Sequence, residues 1–283
     1  MKKPIKIASF SLILILFLAN LTIWFFEFSL PKDNLEIKFF DVGQGDSIFI
    51  RTPSNYRILI DGGPNNKVVN YLDSELPIWD RKLDLIILTH PQSDHLFGLI
   101  EVVKRFKVGK LLISGVEGSS SVYKLWIKTL HEYKIKPIIV TESSNLIISD
   151  KVKFDILWPL ENFPKVSDLN EAAIVFRLSY GNFDTLFTAD ADQKVQPYKG
   201  DLSGIEVLKV PHHGSKTGMS DDFIEKVRPK VSVITVGKNT YGHPGVKTIN
   251  QLNKFGSKIF RTDQNGTIEI VSDGNRWYTK SQR

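Results

Sequence analysis

The chain has 283 residues, 42% of them hydrophobic and 24% charged, with a formal net charge of +6. That is enough apolar material for one large domain with a sizeable core, and it argues against long disorder. Lys2, Lys3 and Lys6 are three of the 37 basic residues, and the remaining 34 against 31 acids leave only about +3, less than a dedicated nucleic-acid-binding domain carries. With no cysteine in the chain, disulfides and thiolate ligands are both excluded. Any metal must be held by imidazole and oxygen, which suits zinc, manganese or iron.

Residues 7–26 carry no charge and match the roughly 20 residues with which a helix spans a bilayer. They predict a transmembrane anchor over 7–30, with 1–6 as a basic cytoplasmic tail. Because the lysines precede the apolar run, the rest of the chain is expected outside the cytoplasm, in a single-pass protein of the cell membrane. No small-x-small cleavage site follows, which favours an uncleaved anchor over a signal peptide. Pro31-Lys-Asp-Asn34 reads as a linker and 35–283 as the folded domain.

In chain order, 35–40, 46–51 and 56–60 read as strands separated by turn signals. Apolar residues three and four apart predict helices at 67–76, 96–106, 122–133, 221–227 and 246–255. Further strands are expected at 85–88, 110–113, 137–140, 152–157, 174–180, 185–188, 205–210 and 231–236. Consecutive strands followed by strands alternating with helices indicate an α/β fold, with two sheets sandwiched between helices.

Polar groups sit at the ends of several of these strands. His90-Pro-Gln-Ser-Asp94-His95 follows the apolar Leu85–Leu88 run, and a tight loop there can converge two imidazoles and a carboxylate on a divalent ion. The competing reading is a helix start, with Ser93 or Asp94 as its cap. Asp61-Gly-Gly63 follows Arg57–Ile60, Asp190 ends the run Thr185–Ala189, and His212-His213-Gly214 follows Val207–Val210. Ligands collect where rigid strands deliver loops to a crevice. If the last of these strands persists, His212 and His213 point to opposite faces, so one of them is expected to be the ligand, without indication of which. Asp61 reads as a carboxylate that orders the metal loop through hydrogen bonds rather than as a ligand. His131 lies on a polar helical face, and Tyr123, Trp126 and Leu130 recur at the spacing of core packing.

Together with Asp41-Val-Gly-Gln-Gly-Asp-Ser47, Tyr241-Gly-His-Pro244 and Arg261-Thr-Asp-Gln-Asn-Gly266, these motifs resemble the metallo-β-lactamase superfamily. Within it they resemble the extracytoplasmic hydrolase-like domain of the ComEC competence proteins, over roughly residues 36–271. The resemblance implies an αββα sandwich of two mixed sheets and one or two divalent ions, zinc or manganese. Its ligands would be His90, Asp94, His95, Asp190 as the bridging carboxylate, and His212 or His213. It also implies catalytic roles for Asp94 and for His243, placed over the reaction centre, and phosphate contacts from Ser215 and Lys216. The implied reaction is phosphodiester hydrolysis by a water activated between the ions. Partners would be the membrane, a phosphodiester such as DNA, and a separate DNA channel protein. Two departures from the family pattern stand out: Gln92 replaces an imidazole, and Asn170 occupies another frequent histidine position. Amide oxygens are weaker ligands, so the pocket of His90, Gln92, Asn170 and Asp190 should hold zinc less tightly than its neighbour. The alternative is a non-catalytic metal- or phosphate-binding module with a partly degenerate site.

Overall fold

Strand character follows from where the apolar residues fall. Leu35–Phe39 (β1) alternates buried and half-buried positions, which sends Leu35, Ile37 and Phe39 to one face. Lys82–Leu88 (β4) instead buries every residue from Leu85 to Leu88, as a strand covered on both faces does. The computed structural model describes residues 4–29, 34–142, 144–148, 151–162, 168–196, 198 and 200–283.

Among the described residues the strands form two mixed sheets. The first contains β1 and β4 together with β2 (Ile48–Arg51), β3 (Arg57–Ile60), β5 (Lys107–Ile113), β6 (Pro137–Ile139), β14 (Ile268–Ser272) and β15 (Trp277–Ser281). Its order is β15-β14-β1-β2-β3-β4-β5-β6, antiparallel as far as β3 and parallel from β3 onward. The second contains β7 (Asn145–Ile147), β8 (Val152–Trp158), β9 (Val175–Tyr180), β10 (Phe183–Phe187), β11 (Val207–Lys209), β12 (Val231–Ile234) and β13 (Lys258–Arg261). It runs β13-β12-β11-β10-β9-β8-β7, parallel from β13 to β10 and antiparallel beyond.

The sheets face each other across a core that includes Ile37, Phe39, Ile87, Phe154, Phe176, Phe187 and Val233. Phe176 packs against both Phe154 and Phe187, with ring centroids 4.8 Å apart in each pair; burying such a ring stabilises by roughly 1.5–3 kcal/mol. Outside the first sheet lie α2 (Lys67–Glu75), α3 (Ser93–Arg105) and α4 (Ser121–Glu132), whose Leu72, Leu99, Val102 and Trp126 share a core with Leu59, Ile86 and Leu111. Outside the second lie α5 (Asp221–Val227) and α6 (Val246–Lys254), which bury Phe223, Ile224 and Leu252 against Leu186 and Leu208. The expected helix–sheet–sheet–helix layering is therefore present. A single-turn α7 (Thr262–Asn265) occupies the Arg261–Gly266 motif.

The observed differences have local causes. α3 starts three residues earlier than expected, at Ser93, after an extended Gln92 whose side chain makes no cap bond. Neither Ser93 nor Asp94 is the cap. β7, β13, β14 and β15 were not anticipated; β15 is mostly exposed and so carries no apolar alternation. Residues 4–29 form one helix, α1 (Pro4–Ser29), and its side chains described, 10–23, are all exposed. Among the described residues no helix is long and apolar enough to cross a membrane. Residues 1–3 of the expected tail and 31–33 of the expected linker lie outside the described residues.

Candidate metal centre

Five strand ends deliver polar groups to one edge of the sandwich. β3 and β4 lead into Asp61 and into Thr89 and His90, while β10, β11 and β12 lead into Asp190, His213 and Thr235. In open α/β sheets this is where ligands bind, in the crevice beyond the carboxyl ends of parallel strands. The backbone is strained there: Asp61, Ala189, His212 and His213 have φ of 57°, 46°, 50° and 51°. Left-handed conformations cost non-glycine residues on the order of 1–3 kcal/mol each and persist where the surroundings enforce them. Here the amide of Gly62 donates to the His95 carbonyl (2.6 Å) and that of His212 to the Ala189 carbonyl (3.0 Å). Close backbone approach also demands Gly62 and Gly98, since a side-chain carbon on either would overlap the other's segment. That approach seats Asp61 under the first turn of α3.

Asp94, His95, Asp190 and His213 form the compact group: their ligand atoms all lie within 4.8 Å of one another. Asp190 Oδ2 is 3.4 Å from His95 Nε2 and 3.3 Å from His213 Nε2, and His213 Nε2 is 3.5 Å from Asp94 Oδ2. Of the paired histidines, His213 is the one whose ligand atom joins this group. β11 ends at Lys209, so strand alternation does not apply, and His213 turns its buried ring inward. His212 stays one-quarter exposed, yet its Nε2 also comes within 3.9 Å of Asp190 Oδ2.

Hydrogen bonds to the far nitrogen of each ring present the near one to the cluster. His95 Nδ1 bonds Asp61 Oδ2 (2.8 Å), and His213 Nδ1 bonds the Thr235 carbonyl (2.7 Å). Thr89 Oγ1 donates to Asp61 Oδ2 (2.7 Å), which leaves it to accept from His90 Nδ1 at 3.1 Å. With the three Nδ1 atoms committed to these bonds, Nε2 is the atom each ring turns to the cluster, able to bind a metal once any proton on it is displaced. Asp61 thus ties Thr89 at the end of β4 to His95 in the first turn of α3.

Several buried atoms lack a hydrogen-bond partner, among them Nε2 of His90, His95 and His213, both Asp190 oxygens, Asn170 Oδ1 and His212 Nδ1. Leaving buried polar atoms unpaired is costly, and a group of them converging on one region fits a cation. A second trio, Asp46, Asp61 and His95, also has mutually close ligand atoms. It is already satisfied: Lys209 Nζ lies 2.6 Å from Asp46 Oδ2, and Asp61 takes the His95 and Thr89 bonds.

Proton positions reflect the crowding of charge. Burial disfavours the Asp190 anion, but His213 and His95 outweigh it and hold its pKa well below the usual range. Burial likewise opposes protonation of His213 and His95, and Asp190 foremost reverses this, lifting His213 to about 9 and His95 well above its ordinary value. Asp94 is held at about 2 because His213 and His95 outweigh its burial. His90 goes the other way, to about 3, through burial and then His95; it is neutral at ordinary pH, the form that binds metal.

The cluster opens into a cleft of about 600 Å³ lined by Gln92, Asp94, Asn170, His212, His213 and His243, and by Gln44, Lys238, Asn239, Thr240 and Tyr241. Gln92 and Asn170 therefore face the site. His243 is half-buried with Nδ1 unpartnered; burial, then His212 and His213, depress its pKa to about 4. Its loop is pinned by Asn239, whose Oδ1 accepts from the amides of Tyr241 and His243. Ser215 and Lys216 do not line the cleft. Left-handed Gly214 turns the chain away, Ser215 is buried with Oγ 3.2 Å from Thr217 Oγ1, and Lys216 is exposed. Sequence reasoning assigned no role to Asp46, Thr89, Lys209, Thr235 or Asn239. A lysine within the apolar run Val207–Val210 was the available signal, since buried lysines are rare unless paired.

A family model described as the metallo-beta-lactamase superfamily matches residues 40–238. The chain belongs to the metallo-beta-lactamase superfamily. It is 29% identical over 272 residues to ComE operon protein 3 of Bacillus subtilis, covering 88% of this chain and 34% of that protein. It is 28% identical over 248 residues to competence protein ComA of Neisseria gonorrhoeae, covering 86% and 33%. Homology to these ComEC-type proteins is distant but covers most of the chain, which spans about a third of their length. Among solved metallo-beta-lactamase folds, YhfI of Bacillus subtilis superposes with a TM-score of 0.56 at 13% identity, covering 84% of this chain and 100% of that one. The metallo hydrolase Igni18 of Ignicoccus hospitalis gives 0.54 at 14% identity, covering 83% and 98%. At such identities the likeness establishes the shared fold.

Proposed function

We propose that this metallo-beta-lactamase-type protein is a metal-dependent hydrolase of phosphodiesters, with DNA during uptake as the leading substrate. The observation that carries the reading is the four-residue group of Asp94, His95, Asp190 and His213, whose imidazole Nε2 atoms and Asp190 oxygens are unpartnered and whose Asp94 and His213 line a polar cleft. These residues would hold one divalent ion, zinc or manganese. A second ion would be held by His90, Asp190 and His212, the last with Nε2 3.9 Å from Asp190 Oδ2, and by Gln92 and Asn170 as weak amide ligands. When bound, such ions supply Lewis acidity and lower the pKa of water toward neutrality.

The chain's own residues supply the rest. Asp94, in the first turn of α3 with a carboxylate held at about 2, stays anionic and is placed to accept a proton from the attacking water. His243, neutral above about pH 4, offers a ring nitrogen to a phosphoryl or leaving-group oxygen. Lys238 at the cleft supplies the cationic contact for a flanking phosphate. Exposed Tyr241, its ring centroid 5.8 Å from that of His243, is placed to stack a base.

The apolar run 7–26 and the exposed side chains of α1 support a single-pass anchor that leaves the domain outside the cytoplasm. One relative is named competence protein ComA; that association makes DNA our leading substrate, with a separate channel protein as the proposed partner. The test is turnover of bis-p-nitrophenyl phosphate and single-stranded DNA by the purified chain with zinc or manganese, with Asp190→Ala as control. Metal binding without turnover of either would favour the second reading, a binding module. That reading rests on Gln92 standing at the cleft where an imidazole is expected.

A further inference from the structure

Lys209 is fully buried, and so is Asp46. They come from different sheets: Lys209 ends β11 of the second, and Asp46 lies in the loop between β1 and β2 of the first. The ammonium donates to two acceptors, Asp46 Oδ2 at 2.6 Å and the Ala189 carbonyl at 2.9 Å, and lies 3.7 Å from Asp190 Oδ1, an ionic approach beyond hydrogen-bond reach. Asp46 extends the network. Its Oδ1 accepts from Thr235 Oγ1 and lies 3.5 Å from His213 Nδ1, while its Oδ2 is 4.0 Å from His95 Nδ1.

The ligand candidates divide along the same seam. His90, Asp94 and His95 belong to the first sheet and its helix, whereas Asp190 and His213 belong to the second. We propose that Lys209 is a positioning residue of the metal centre: its pairing with Asp46 joins the two sheets under the site and sets the position of Asp190 relative to His95 and His213. Its bond to the Ala189 carbonyl holds a left-handed residue directly before Asp190, and its approach to Oδ1 leaves Oδ2 facing the imidazoles. The pair also completes the trio of Asp46, Asp61 and His95, so that trio takes no ion. This inference rests on the metal-centre reading above and names residues that would touch no metal.

Position and charge make opposite forecasts. A positive charge beside a ligand carboxylate repels a divalent ion, so if Lys209 acted by charge alone, its removal would tighten binding. If it acts by position, its removal loosens binding, by about 10–100-fold as for other groups that orient ligands. The experiment is chelator competition with zinc on the full chain in detergent, with thermal melting in EDTA and the cobalt absorption spectrum. Lys209→Met is expected to weaken zinc binding by about that factor and to shift the cobalt bands, and Lys209→Gln, which keeps a donor without the charge, to recover most of the affinity. In Lys209→Met with Asp46→Leu no charge is left unpaired. That variant should regain the EDTA melting temperature but not the zinc affinity, and it carries the test if Lys209→Met alone fails to fold. Unchanged or tighter zinc binding in the folded variants would overturn the proposal. A wild-type chain that binds no zinc at all would instead overturn the metal-centre reading on which it rests.

Discussion

Metal and protons compete for the same atoms in this site, and the competition fixes how stability must vary with pH. In the metal-free protein His213 is raised from 6.5 to about 9. The group is buried, so solvent does little to weaken the effect, which is worth roughly 3 kcal/mol. A group whose folded pKa is raised contributes stability that is complete below its unfolded value and disappears as pH rises through the folded one. The metal-free protein should therefore lose roughly 3 kcal/mol between about pH 6.5 and 9, and His95, shifted the same way, adds to the loss. A divalent ion displaces these protons, and each displaced proton makes the apparent affinity rise about tenfold per pH unit until its group's own pKa is passed. Urea unfolding in EDTA at pH 6.5, 7.5 and 9 measures the first effect. Calorimetry of zinc binding at pH 7 in buffers of different ionisation enthalpy counts the released protons. Metal-free stability that is flat or rising over this range, or zinc binding without proton release, would refute the assignment of His95 and His213 as protonated partners of Asp190.

Three further outcomes are expected. Asp190→Ala should remove nearly all bound zinc as read by elemental analysis, because Asp190 Oδ2 lies within 3.4 Å of both His95 and His213, whereas His131→Ala, on an exposed face, should leave the content unchanged. His213→Ala should weaken the tighter site by at least about 100-fold in chelator competition, and His212→Ala should affect mainly any second equivalent; equal losses would show that the two imidazoles serve one ion. Gln92→His should raise zinc content toward a second equivalent and shift preference from manganese to zinc; an unchanged stoichiometry would mean that residue 92 does not reach the metals.

Much of the architecture was written locally. The burial pattern of β4, the three-and-four spacing in α3 and α4, and the placement of His90, Asp61 and Asp190 at strand ends are properties of short stretches, so periodicity alone locates them. The apolar character of residues 7–26 is equally local. Of the late strands, β14 pairs with β1 from the other end of the chain, while β13 and β15 are largely exposed or half-buried and so show little apolar alternation. The site was legible as a set of candidate residues but not as an arrangement. His213 rather than His212 enters the compact group because the strand stops at Lys209 and both histidines adopt left-handed backbone, a choice imposed by packing against the Ala189 and Thr235 carbonyls. Ser215 and Lys216 carried the chemistry of a phosphate contact but are turned away by the bend at Gly214. Asp46 and Lys209 are far apart in sequence and meet only when the two sheets close on each other. A salt bridge between layers has no signature in either segment beyond one charge in a buried strand, so it was the tertiary structure that decided it.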